Sequence, residues 1–195
     1  MSKVIPDRRR RADAERSRRA LLDAAVQVLG DRPDASLEQI ATEAGVSRQT
    51  VYAHFASRAD LIESVVSRMS DETVAMLDAS ELGAGTATEA MERFLARCWE
   101  LMRQRPVLLS GALESRSAEQ DRDRHASIAG RVEELVRRGQ AAGEFDPEVD
   151  PAWLTSAVLA LGHAAGGAVG AGRMSSGDAA EALRRSVLRL TLVAD

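Results

Sequence analysis

Apolar residues recur along this chain three and four apart, the spacing of one helix face after another. Leu22, Ala25, Val26 and Leu29 predict a first helix over about residues 13–29. Leu37, Ile40, Ala41 and Ala44 predict a short second one, and Val51 with Phe55 a third. A longer helix from Arg58 carries Leu61, Val65, Val66, Met69, Val74 and Leu77. The stretch 80–88 (SELGAGTAT) breaks the pattern, which resumes over about 89–103 with Phe94, Leu95, Cys98, Trp99 and Met102. A short segment at 107–113 precedes a long charged helix over 118–141, buried through Ile128, Val132, Leu135 and Val136. One helix opens at Pro151, and the last spans about 178–193. No segment alternates with period two, so the chain is predicted all-α, with about nine helices. Residues 1–12 are polar and aperiodic and are expected to be disordered.

The second and third helices form a unit. Ser36 and Gln39 have the S-x-x-Q spacing of a capping box. Gly45 ends the second helix, where a positive φ costs least. Ser47 can cap the third. Ala41 is small where two helices would cross closely, and Val51 fills the angle between them. This combination predicts a helix-turn-helix over residues 36–55. Helical geometry turns Val51 and Phe55 inward and Gln49, Tyr52 and Ala53 outward, with Arg48 and Thr50 on the flanks. Arg48 suits guanine, Gln49 adenine, and Ala53 a thymine methyl.

Charge supports a nucleic-acid role despite a total of −4. Residues 1–20 hold eight basic and three acidic side chains, a net of +5, which leaves −9 on the rest. A basic end on an acidic body confines the electrostatic footprint to one region. Arg8, Arg9, Arg10 and Arg11 could follow phosphates or enter the minor groove, or could only solubilise the tail. Cys98 is the sole cysteine, so no intramolecular disulfide forms. The N-terminus lacks the apolar region of a signal peptide, and residues 157–171 are too short for a membrane span. A cytoplasmic protein without membrane contact is expected.

The run GVSRQTVYAHFASRADLIESVV resembles the TetR family of transcription regulators over about residues 13–66. Ile40, Ala41, Ala44, Gly45, Val46, Ser47, Thr50, Tyr52, Phe55, Ser57, Arg58 and Leu61 carry the resemblance. Gln49 stands where the family often has a small residue, and Arg58 where it usually has Lys. The resemblance implies phosphate contacts from Tyr52, His54, Arg58 and the Ser36 region. It also implies a division into a DNA-binding part, residues 1–57, and a ligand-binding and dimerisation part, residues 58–195. Met76, Phe94, Trp99, Met102, Trp153 and His163 are the pocket candidates, an apolar set suited to a small apolar effector. His125 and His163 have no Cys or His at ligand spacing, and neither metal nor cofactor is expected.

Gly162, Gly166 and Gly170 lie four apart on one helix face. Each interior glycine costs about 0.8–1 kcal/mol relative to Ala, so three on a stripe suggest close backbone approach. With Leu183, Val187 and Leu190, the resemblance makes them a homodimer interface; packing inside one subunit is the other reading. The expected protein is a dimeric repressor on a palindromic operator in double-stranded DNA. Its two recognition helices would stand about 34–36 Å apart. A ligand-independent or architectural DNA binder is the alternative, against which the acidic body and the polar recognition face argue. A helical enzyme is disfavoured because no nucleophile–base pair, phosphate loop or HExxH occurs.

Overall fold

The structure, a computed structural model, describes residues 5–79, 82–110, 113 and 118–193, with backbone alone at 5–9, 79 and 118–124. Among these residues are eight α-helices, one 3-10 turn and no strand. The helices are α1 (Ile5–Asp31), α2 (Leu37–Glu43), α3 (Arg48–His54), α4 (Arg58–Ala79), α5 (Ala87–Gln104), α6 (Ala118–Ala141), α7 (Pro151–Gly170) and α8 (Ser176–Thr191). The 3-10 turn is Pro106–Leu108, between α5 and α6.

The expectation of a disordered tail to residue 12 is corrected, because α1 begins at Ile5. Arginine is a good helix former and Pro6 sits in the first turn, where its missing N–H costs nothing. Arg10 to Arg16 are exposed on every side, so these turns have no buried face for periodicity to report. Helices α5 and α8 start two residues earlier than the apolar pattern suggests. Thr86 and Ser175 cap them, the first in a reciprocal box with Glu89.

Two apolar clusters hold the chain together. In the first, Leu21, Ala25 and Leu29 of α1 meet Leu37 and Ile40 of α2, Val51 and Phe55 at α3, and Leu61, Val65 and Met69 of α4. Val107, from the 3-10 turn, is fully buried among them. The second joins Leu77, Met91, Phe94, Val132, Val136, Phe145, Leu154, Val158, Leu183 and Val187. Helix α4 therefore belongs to both, its first half to one and Leu77 to the other. Its 22 residues span about 33 Å at 1.5 Å each.

Polar contacts brace the elements. Arg68 pairs with Asp23 across α4 and α1 at 2.6 Å. Arg131 of α6 grips Asp78 of α4 through two nitrogens, at 2.6 and 2.9 Å. Glu144, in the α6–α7 loop, accepts the backbone N–H groups of Ala87 and Thr88 and the Thr88 hydroxyl, each at 2.9 Å. It thus supplies donors at the start of α5 with a charged acceptor where the helix dipole favours one.

The glycine stripe on α7 is taken up in part inside the subunit. A Cβ on Gly170 would overlap the carbonyl oxygen of Leu109 and lie 2.8 Å from its carbonyl carbon. One on Gly166 would reach Leu109 Cδ2 at 3.4 Å and Met102 Sδ at 3.6 Å. Only Gly162 has open space around it. Leu183 and Val187 are buried in the second cluster, and Leu190 packs against it. Gly166, Leu183 and Val187 are thus buried within one subunit, whereas Gly162 and Leu190 are half-buried and Gly170 is exposed. The open surface of α7 also carries Trp153, Ser156, Ala160, Ala164 and Gly167. No charged residue interrupts α7, whose length and composition alone would let it cross a bilayer, and 22% of its apolar window is buried.

Candidate nucleic-acid interface and pocket

Helix α3 is held at a fixed angle by its short neighbour. Ser36 and Gln39 form the reciprocal box, with the Ser36 N–H donating to Gln39 at 2.7 Å. Gly45 takes the turn at φ 66°, the left-handed region where glycine has no steric penalty. Ser47 accepts the Thr50 N–H at 3.1 Å, and the two hydroxyls lie 2.8 Å apart. Val51 and Phe55 are buried, at 0% and 2% exposure.

The opposite face is open. Arg48, Gln49, Tyr52 and Ala53 are exposed, and Thr50 and His54 are half-buried beside them. Arg10 and Arg11 are exposed on the outer turns of α1. The side chains of Arg8 and Arg9 lie outside the described residues. Arg18 reaches over from α1, its guanidinium 5.5 Å from the Phe55 ring centre and its Nη2 3.2 Å from Ser64 Oγ.

Two residues differ from expectation. Arg58 turns away from the open face. Its Nε donates to the Ala35 carbonyl at 3.0 Å and its Nη2 to the Pro33 carbonyl, so it clamps the loop between α1 and α2. These two bonds occupy one edge of its guanidinium. Glu38 is the residue that sequence reasoning missed. Its Oε1 accepts the Tyr52 hydroxyl at 2.8 Å and lies 3.4 Å from Arg48 Nη2. The Tyr52 bond is the main cause holding the Glu38 carboxyl below its usual range, and the same bond raises the Tyr52 phenol. An acid in a first helical turn reads as a partner for the dipole, so sequence offered no sign of this cross-helix contact.

A cavity of about 770 Å³ opens between α4, α5, α6, α7 and the 3-10 turn. Phe94, Met102 and His163 line it, as expected. The other three candidates do not. Met76 and Trp99 pack around the second cluster, and Trp153 is 60% exposed on the outer side of α7. Ser70, Thr73, Cys98, Leu109 and His125 line the cavity instead. Cys98 was legible as a candidate, being one turn beyond Phe94 on the same face. Burial pushes its thiol up to about 12, so it acts as a small apolar wall rather than a nucleophile. His125 and His163, thirty-eight positions apart, meet with Nε2 atoms 3.3 Å apart. No charged side chain lines the cavity, and no cluster of three metal-ligating side chains occurs, among the described residues.

Residues 21–65 match the family described as bacterial regulatory proteins, tetR family. The transcriptional repressor LfrR of Mycolicibacterium smegmatis is 32% identical over 147 residues, which cover 75% of this chain and 76% of the relative. This chain belongs to the TetR family. The HTH-type transcriptional repressor BepR of Brucella suis is 29% identical over 160 residues, 72% of this chain and 76% of its own. The crystal structure of LfrR in complex with proflavine superposes with a TM-score of 0.69 at 27% identity, over 92% of this chain and 98% of that one. The fold is shared further with the regulator FadR from Bacillus subtilis in complex with stearoyl-CoA, TM-score 0.74 at 18% identity, over 88% and 95% of the two chains. TetR-family members are DNA-binding transcription regulators rather than enzymes, and that is the function class of this chain.

Proposed function

We propose that the protein is a dimeric repressor that binds a palindromic operator in double-stranded DNA and leaves it when a small uncharged, largely apolar molecule fills the cavity. The observation that carries the DNA half is the sidedness of α3. Val51 and Phe55 are buried, whereas Arg48, Gln49, Tyr52 and Ala53 are exposed on one continuous face. Arg48, Gln49, Thr50 and Ala53 then read base edges. Tyr52, His54, Arg10, Arg11 and the capped N-termini at Ser36 and Ser47 contact phosphates, contacts that position without specifying. Arg9 joins the same basic arm in the sequence.

Residues 1–57 supply this DNA-binding part and residues 58–195 the ligand-binding and dimerisation part, with α4 joining them. The dimer contact is the open face of α7, from Trp153 through Ala160 and Ala164 to Gly167. Small side chains there let two backbones approach closely, and burying a long charge-free helix face is favourable. The cavity walls favour an uncharged ligand: among the described residues carbon predominates, and the polar side chains are hydroxyls, the Cys98 thiol and two imidazoles. The ligand acts only as far as it binds the released and DNA-bound forms with different affinity. A cytoplasmic location fits this role.

In vitro selection from random duplexes, followed by gel shift, tests the reading. The wild type should recover a two-fold symmetric consensus. Gln49→Ala should relax preference at one base position per half-site, and Tyr52→Ala should weaken binding to all sequences alike. Recovery of no consensus would remove the proposal, and equal behaviour of the two variants would remove the division of labour.

A further inference from the structure

The face of α2 and α3 that opens outward contains a carboxylate among residues suited to a polyanion. Glu38 accepts the Tyr52 hydroxyl at 2.8 Å and stands 3.4 Å from one terminal nitrogen of Arg48. The Arg48 guanidinium in turn lies 5.6 Å from the centre of the Tyr52 ring. The three side chains, from two helices, thus form a closed group on the surface. Ser36 and Gln39 are occupied with each other beside it. The Glu38 carboxyl, held below its usual range, is ionised at neutral pH.

An anion at this place affects correct and incorrect DNA differently. Any phosphate brought near Glu38 is repelled, whatever the sequence, and one that takes the Tyr52 hydroxyl must first displace it from Glu38. A phosphate that takes Arg48 must also break the existing ion pair. Guanine presents O6 and N7, two acceptors without net charge. A guanidinium has five N–H donors, so Arg48 can keep Glu38 on one edge and offer another edge to the base. The carboxylate then orients the arginine instead of opposing the complex.

We propose that Glu38 is a specificity-determining residue, which positions Arg48 for a guanine and penalises binding of the same face to DNA lacking it. The proposal rests on the reading of this face as the DNA-reading one. It makes Glu38 a positioning residue, since it acts through Arg48 and Tyr52.

The test compares wild type with Glu38→Gln and Glu38→Asp. The probes are the consensus duplex selected by the wild type and a scrambled duplex of equal composition, over a salt series. Glutamine keeps an acceptor for Tyr52 but removes the charge. Glu38→Gln should bind the scrambled duplex about two- to fivefold more tightly, the worth of one exposed charge pair. Its ratio of specific to non-specific affinity should fall by at least that factor. A freed Arg48 should take a phosphate, steepening the slope of log K against log salt by about 0.9 on scrambled DNA. Glu38→Asp, which keeps the charge, should leave affinity for the scrambled duplex at the wild-type level. Thermal melts of both variants at the wild-type temperature accompany these measurements, because the Glu38 side chain is 40% exposed and both replacements fit its place. Unchanged affinities for Glu38→Gln, or equal weakening on both duplexes with an unchanged salt slope, would overturn the proposal. So would an aspartate variant that behaves as the glutamine one does. Failure of the wild type to select any consensus would overturn the underlying reading as well, and is seen before a Glu38 variant is made.

Discussion

Substituting Gly170 by alanine tests whether the α7 stripe serves the inside of one subunit. The added Cβ would meet Leu109 at backbone, overlapping its carbonyl oxygen and lying 2.8 Å from its carbonyl carbon. Backbone cannot rotate aside as a side-chain tip can, so α7 or the segment after the 3-10 turn must shift. Overpacking of this kind costs about 1–3 kcal/mol. Gly162→Ala is the control, on the same helix and with nothing within 4 Å of its added carbon. Replacing that interior glycine gains up to about 0.8–1 kcal/mol of helix propensity. Gly170 is the last residue of α7 and gains less. The two variants should therefore differ by about 2 kcal/mol or more, Gly162→Ala being the more stable. For a chain of this size that separates their melting temperatures by about 4–8 °C. Calorimetry at one fixed protein concentration reads the difference, because the proposed dimer would make the midpoint concentration-dependent. Equal melting temperatures would refute the reasoning. So would a Gly170→Ala protein that loses its dimer while keeping its stability, since the stripe would then be an intersubunit seam after all.

Other outcomes follow from the same geometry. Arg58→Lys should lower stability by about 1 kcal/mol, the worth of one lost hydrogen bond to the Pro33 or Ala35 carbonyl. Arg58→Gln, which removes the charge, should leave the salt slope on DNA at the wild-type value; a slope shallower by about 0.9 would mean that Arg58 contacts a phosphate. Glu144 has a folded-state pKa depressed below the ordinary 4.5, chiefly by the Thr88 and then the Ala87 N–H. Its contribution is therefore complete above that value and lost as pH falls through the folded pKa. Glu144→Gln should melt below wild type at pH 7, and the gap should close below about pH 4.5. A gap constant from pH 7 to 3 would exclude the charge as its cause. Trp153→Arg, on the open side of α7, should shift sedimentation from dimer toward monomer without lowering helix content. An unchanged dimer would place the contact elsewhere.

The fold was readable wherever helices bury one face. The α2–α3 unit, its caps at Ser36 and Ser47 and the Gly45 turn all follow from local chemistry, and the structure has them at those residues. The first turns of α1 were missed because a fully solvated helix leaves no apolar period. Partners distant in sequence were beyond reach. Nothing at Glu38 points to Tyr52, nor at Arg58 to Pro33 and Ala35, because such contacts depend on how helices cross. The glycine stripe carried a true message of close approach but no address. Gly166 and Gly170 meet Leu109 of their own chain, a residue that no periodicity connects with them. The cavity was half legible: Phe94 and Met102 share a face of α5, whereas the opposite wall comes from α7 and the 3-10 turn.

The 3-10 turn Pro106–Leu108 touches two parts of the molecule at once. Val107 is sealed into the same cluster as Val51 and Phe55, and Gly30 of α1 leaves room for it: a Cβ there would stand 3.2 Å from the Val107 nitrogen. Two residues on, Leu109 forms the cavity wall and rests on Gly166 and Gly170. A residue of the first cluster and a wall of the cavity thus stand two positions apart, in and just after one tight turn. A molecule in the cavity that displaced Leu109 would act on Val107, which is packed in the cluster that also holds Val51 and Phe55. On the proposed function, a route from cavity to DNA face would then need only residues 107–109 and not the length of α4.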